Sequence, residues 1–210
     1  MEEVYTLEKV EDNLKIKFPK LFHKIYEKGA MDYLKHSDEW IEKNKEILKN
    51  TPGAFFYNIT AEYEPLPFCN IKEEIEYFED LLNYDDDYSS GLYKINPTYR
   101  FIPFGSEGGG DIFCFMFTEG KEEIPIVIYE HDIGSMKMYA RDYEEFIFLQ
   151  LALAALEWDQ PIDLNSFEFH LQYISEEHRK LFIDKDRKSI RDKIEILGHM
   201  ENVDFLVCTC

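Results

Sequence analysis

Carboxylates are the side chains best placed to do chemistry in this sequence of 210 residues: 43 Asp and Glu stand against 23 Lys and Arg, a formal charge of −20. They are concentrated. From Glu62 to Asp87, ten acids (Glu62, Glu64, Glu73, Glu74, Glu76, Glu79, Asp80, Asp85, Asp86 and Asp87) face Lys72 alone. Such a block speeds encounter with a basic partner, and the interleaved Tyr63, Tyr77, Tyr84 and Tyr88 would add contact area after docking. A helix face charged only to be solvated has the same composition. Paired carboxylates for acid–base catalysis say little in so acidic a chain. The loop at Asp85, Asp86 and Asp87 lacks the alternating ligands, sixth-place glycine and terminal Glu of a calcium loop, so a solvated charge run is the better reading.

The remaining chemistry is thin. His23, His36, His131, His170, His178 and His199 form no HExxH pair, and Cys69, Cys114, Cys208 and Cys210 show no CxxC spacing. No metal and no cofactor are therefore expected, and free thiols fit a reducing cytoplasm. The glycine cluster from Gly105 to Asp111 matches neither the P-loop nor the dinucleotide fingerprint, and a strand follows it where a phosphate site needs a helix N-terminus. Ser106 sits in GSEGG, not in the GxSxG elbow that presents a nucleophile. With no nucleophile, base or ligand set to name, the chain reads as a non-enzyme. The charge opposes nucleic acid and anionic membranes alike. The longest apolar run, 146–156, is short of the ~20 residues that cross a bilayer. The N-terminus is acidic where a signal peptide needs positive charge.

The elements that must hold these groups follow from pattern. With 45% hydrophobic and 16% aromatic residues there is material for one sizeable core. Leu7, Val10 and Leu14 have helical spacing and stop at Phe18-Pro19. Pro19 suits a first helical position for a second helix carrying Leu21, Phe22, Ile25 and Tyr26, which Gly29 ends. A third helix runs from Ser37 to Pro52-Gly53, and one strand is expected within 54–69. Asn70 and Glu73 resemble a capping box opening a fourth helix, and Asp142 with Glu145 repeats the signal before a nearly all-apolar helix to Trp158. Between them, β-rich runs at 99–104, 112–117, 124–129 and 137–140 alternate with turns as an antiparallel meander. Two helices, 175–183 and 189–197, and a strand at 203–208 complete an α+β reading.

The stretch Phe101-Ile102-Pro103-Phe104-Gly105, then Gly108-Gly109-Gly110-Asp111-Ile112-Phe113-Cys114-Phe115, then Ile126-Val127-Ile128-Tyr129-Glu130-His131-Asp132 resembles the SUKH superfamily. Ala140-Arg141-Asp142-Tyr143-Glu144-Glu145-Phe146-Ile147 resembles its aromatic-acidic helix start, and Leu14 through Phe18-Pro19 and Phe22 its first helix, with the continuation at Phe18 to Tyr26. The resemblance spans roughly 7–156. It departs at Lys28-Gly29-Ala30, where a tight Asn-Gly is typical, and in a longer tail beyond Trp158. It implies an α+β fold with an antiparallel sheet flanked by N-terminal and C-terminal helices. A SUKH-like domain at 1–160, with an insertion at about 30–98, would carry a helical extension, 161–210, packed on the same domain.

The resemblance also implies, for many bacterial members, an immunity protein that neutralises a toxin; eukaryotic relatives act in cell-wall synthesis and signalling. Many such toxins are nucleases with basic sites, so a chain of −20 fits as their inhibitor. The expected partner is a basic protein, a toxin domain. The alternative is a regulatory or scaffold module of the same fold. Candidate partner-binding residues are Glu73, Glu76, Asp80, Asp85, Asp86, Asp87, Glu107, Asp111, Glu130 and Asp132. Asp111 reads equally as a turn former.

Overall fold

The computed structural model describes residues 4–51, 53–57, 63–84, 93–157, 164–198 and 205–208. Helix α1 (Leu7–Leu14) opens with Thr6, whose hydroxyl accepts the Lys9 N–H, and ends at Lys15 in the left-handed conformation. Helix α2 (Lys20–Glu27) starts one residue later than expected: Pro19 is extended and precedes it. Buried Glu11 joins the two helices, its carboxylate accepting the Phe18 N–H at 2.8 Å and facing Lys17 at 2.6 Å and His23 at 2.7 Å. Those partners hold its carboxyl below the usual range, although burial alone would raise it. Helix α3 (Asp38–Lys49) is capped by Ser37.

The expected strand within 54–69 is confined to β1 (Tyr63–Pro65) among the described residues. Phe55 and Phe56 are buried in a turn instead, and the positive φ of Phe56, 59°, is incompatible with an extended run. Helix α4 (Ile71–Tyr84) follows, tied to the start of α3 by the Asn70 amide donating to Asp38. Strand β2 (Tyr93–Ile95) leads to the meander itself: β3 (Tyr99–Glu107), β4 (Ile112–Thr118), β5 (Ile126–Glu130) and β6 (Ser135–Ala140). The sheet is antiparallel with order β1-β3-β4-β5-β6.

Its central strands β3, β4 and β5 are buried on both faces. Alternation in β4 sends Phe113 and Phe115 to one side and Ile112, Cys114 and Met116 to the other. The first face receives α2 and helix α5 (Tyr143–Glu157): Phe146 meets Phe104 at 5.1 Å and Phe113 at 5.2 Å, and Phe22 meets Phe115 at 5.5 Å. Asp142 caps α5 through the Glu145 N–H, as its spacing predicts. The second face receives α4, with Phe78 lying 6.2 Å from Phe101 and 5.7 Å from Tyr129. The fold is therefore α+β, with helices on both faces of the sheet.

Beyond α5 the described residues form three helices where two were expected: α6 (Leu164–Leu171), α7 (Glu176–Ile183) and α8 (Arg187–Gly198). Phe148 of α5 packs against Phe182 at 5.9 Å, and the Arg187 guanidinium donates to the Ala155 and Leu156 carbonyls at the end of α5. Strand β7 (Leu206–Cys208) pairs antiparallel with β2.

Candidate partner-binding surface

Two hairpin turns bring four of the expected carboxylates to one end of the sheet. Glu107 closes β3 and Asp111 precedes β4; Glu130 closes β5 and Asp132 lies in the turn before β6. The turns touch, because the Asp111 carboxylate accepts the His131 N–H at 2.9 Å. This hydrogen bond gives Asp111 a structural duty as well as a charge. Glu130 is held by Lys137 Nζ at 2.5 Å and by the Ser135 hydroxyl at 3.4 Å. Glu107 lies near enough to Tyr139 to raise its phenol further, though burial is the larger cause. Asp132 projects outward with its side chain 95% exposed, beside Ile133 at 68%.

Local backbone chemistry explains why the turns sit so tightly. Gly110 has φ 92°, a conformation that side chains with a Cβ rarely adopt, and it closes the β3–β4 turn by donating to the Glu107 carbonyl. Gly105 lies within β3, where a Cβ would stand 2.2 Å from the Tyr63 ring and 2.7 Å from the Glu64 carbonyl oxygen. A strand follows this glycine-rich turn, as expected, so no helix N-terminus faces it.

The second set of carboxylates lies on α4. Glu73, Glu76 and Asp80 are exposed on the helix surface that faces away from the sheet, and Tyr77 among them is 50% exposed. Glu74 is partly buried, and burial first, then Glu73 and Asp38, raise its carboxyl. This set is separate from the turn set: Glu76 and Glu79 flank a hollow beside Tyr99 and Arg100, at the end of β3 opposite Glu107, about 25 Å along the strand. Asp85, Asp86 and Asp87 lie outside the described residues. Tyr63 is no contact residue, being 3% exposed and packed on Phe56, Phe113 and Phe146.

Sequence reasoning missed Ile133. An isoleucine inside an Asp-Ile-Gly-Ser turn has no periodic neighbour with which to pack, and that was the available signal. A groove of about 630 Å³ between α1 and the start of α4 was also unforeseen; Lys9, Val10, Leu14, Phe68, Cys69 and Lys72 are among its walls. Leu14 and Lys72 also line the hollow of about 410 Å³ beside Tyr99 and Arg100, so the two adjoin.

Among the described residues, no group of three or more His, Cys, Asp or Glu could hold a metal ion, and no helix is long and apolar enough to cross a membrane. A family model, the SMI1 / KNR4 family (SUKH-1), matches residues 5–148, which include α1 to α4, the whole five-stranded sheet and the start of α5. No curated protein and no solved structure matches the chain.

Proposed function

The chain belongs to the SMI1 / KNR4 family (SUKH-1), a family of generally non-enzymatic immunity or regulatory proteins that act by binding other proteins, and we propose that it neutralises a cognate toxin. The toxin is a basic, nuclease-type domain, and the chain blocks it in the cytoplasm by charge-complementary contact. One observation carries this reading: the convergence of Glu107, Asp111, Glu130 and Asp132 at one rigid end of the sheet, beside an exposed Ile133. Hydrogen bonds fix the carboxylates of Asp111 and Glu130, so little side-chain entropy is lost at these two when a cationic surface docks. An exposed apolar residue flanked by carboxylates offers a partner both apolar area and charge complementarity. The exposed carboxylates of α4 extend the same negative field, and Asp85, Asp86 and Asp87 are part of the proposal on sequence alone. Residues 161–210 act in this reading as an extension braced on α5.

Co-expression with candidate basic nuclease domains taken from the genes neighbouring that of this chain tests the proposal. Growth should be restored by the native chain and lost with the paired changes Asp132→Lys and Ile133→Lys, both at exposed turn positions, while thermal stability changes little. Killing that the native chain does not relieve, with no complex recovered, would sink the reading.

A second reading, a regulatory or scaffold module, draws on a different feature. The α1–α4 groove is largely apolar, and Lys9, Lys72 and Arg100 line it and the adjoining hollow, in a chain otherwise dominated by acids. Such a groove suits an apolar segment of another protein. Retained affinity for a cell-wall or signalling protein after the turn changes, and its loss with Val10→Asp, would favour that role.

A further inference from the structure

The open edge of the sheet lies next to the acidic turns. Strand β6 pairs with β5 on one side, and among the described residues no other strand pairs with it. The direction of its backbone groups follows from the register. Met116 N–H donates to the Pro125 carbonyl, and in an antiparallel ladder hydrogen-bonded pairs recur every second residue. The bonded pairs of β4 and β5 are therefore Cys114 with Val127 and Ile112 with Tyr129. Ile128 and Glu130 then turn their backbone towards β6, bonding to Lys137 and Ser135. Met136 and Met138, the residues between and beyond, direct their N–H and C=O groups away from the sheet.

Proteins usually blunt such edges with short strands, prolines or outward charges. At the opposite edge β1 is three residues long and includes Pro65. Strand β6 has six residues and no proline, and its one charge, Lys137, is folded back onto Glu130 at 2.5 Å. Its bulge falls late, between the pairs at Met138 and Ala140, which leaves the ladder regular at Met136.

We propose that β6 is a docking edge at which a basic, extended segment of the partner adds as a further antiparallel or parallel strand. This inference rests on the toxin-binding reading above and specifies its geometry. Charge decides the occupant. Asp132 lies at the entry to β6, with Asp111 bonded across the neighbouring turn, Glu107 farther along the same end of the sheet and Asp142 past the exit of β6, whereas the nearby cations Lys137 and Arg141 are already engaged by Glu130 and Glu145. A second copy would bring another −20 to the same edge. A strand with Lys or Arg at its ends meets the turn carboxylates, and its apolar residues meet Met136, Met138 and the exposed Ile133.

The test uses the full chain and the toxin domain that it neutralises on co-expression. The amide hydrogens of Met136 and Met138 should exchange freely in the isolated chain and become protected in the complex. Met136→Pro removes an outward donor without deleting a bond to β5, and should weaken the complex about a hundredfold; Met136→Ala, which keeps the donor, should weaken it no more than about threefold. The exchange measurement needs no variant, so it stands even if the proline chain does not fold. A complex that forms with both amides unprotected, or that tolerates the proline in a folded chain, overturns strand addition and leaves the toxin-binding reading intact. A homodimer of the isolated chain that Met136→Pro abolishes would assign the edge to a second copy and overturn it as well. Absence of any complex overturns both.

Discussion

His170 titrates differently in the folded and the unfolded chain below neutral pH. It is 1% exposed, and its ring lies 5.1 Å from that of Phe55, with Nε2 accepting the Phe56 N–H at 2.9 Å. That hydrogen bond assigns the proton to Nδ1. Burial lowers the pKa of the imidazole from 6.5 to about 3. Because the folded value is the lower one, the neutral ring contributes stability that is complete above about pH 6.5 and is lost as pH falls towards 3. By pH 4 the loss should reach about 3 kcal/mol. Urea midpoints of the native chain and of His170→Gln between pH 7 and pH 4 check this, since carboxylate effects common to both chains cancel. Parallel pH profiles would remove His170 as the titrating group. Single residues were also where pattern failed: Tyr63 looked like a contact residue beside acids, yet its ring fills the core between β1, β3 and β4.

At the scale of elements, the join between β1 and β3 depends on the absence of one methyl group. Tyr63 pairs with Glu107 and Pro65 with Gly105, and the Tyr63 ring and the Glu64 carbonyl occupy the space where a Gly105 side chain would begin. Gly105→Ala should cost about 2–3 kcal/mol by forcing β1 off the sheet, while Gly108→Ala, with nothing within 4 Å, should stay within about 0.5 kcal/mol. Paired denaturation curves decide it. The meander was readable because each of its runs of β-branched and aromatic residues is closed by a turn signal. Helix α6 was not readable. Its Phe167, Phe169 and Leu171 alternate as a strand would, and burial shows that Phe167, His170 and Leu171 form the inward face. Tertiary packing overrode an ambiguous local pattern.

For the whole molecule, the charge of −20 makes a kinetic prediction. Raising ionic strength from about 0.05 to 0.5 M should slow association with a basic partner at least about tenfold, because the screening length falls below the size of the charged surface. Dissociation should change far less, since it is governed by desolvated contacts such as those offered by Ile133 and the β6 edge. Stopped-flow association and dissociation rates across a salt series measure both. An association rate indifferent to salt would show that the field has no part in recognition.

The sequence by itself determined the α+β class, the order of the four meander strands, the cap at Asp142, the family and the sign of the field. Each depends on neighbours a few residues apart or on a simple sum, so spacing and composition carry the information. Only the tertiary structure decided that α4 covers the second face of the sheet, that Glu107 and Asp111 share an end with Glu130 and Asp132, and that Tyr63 turns inward while Ile133 turns out. Those outcomes depend on strand register and on packing between segments far apart in the chain, and no local pattern encodes which face or edge is left open once the sheet has closed.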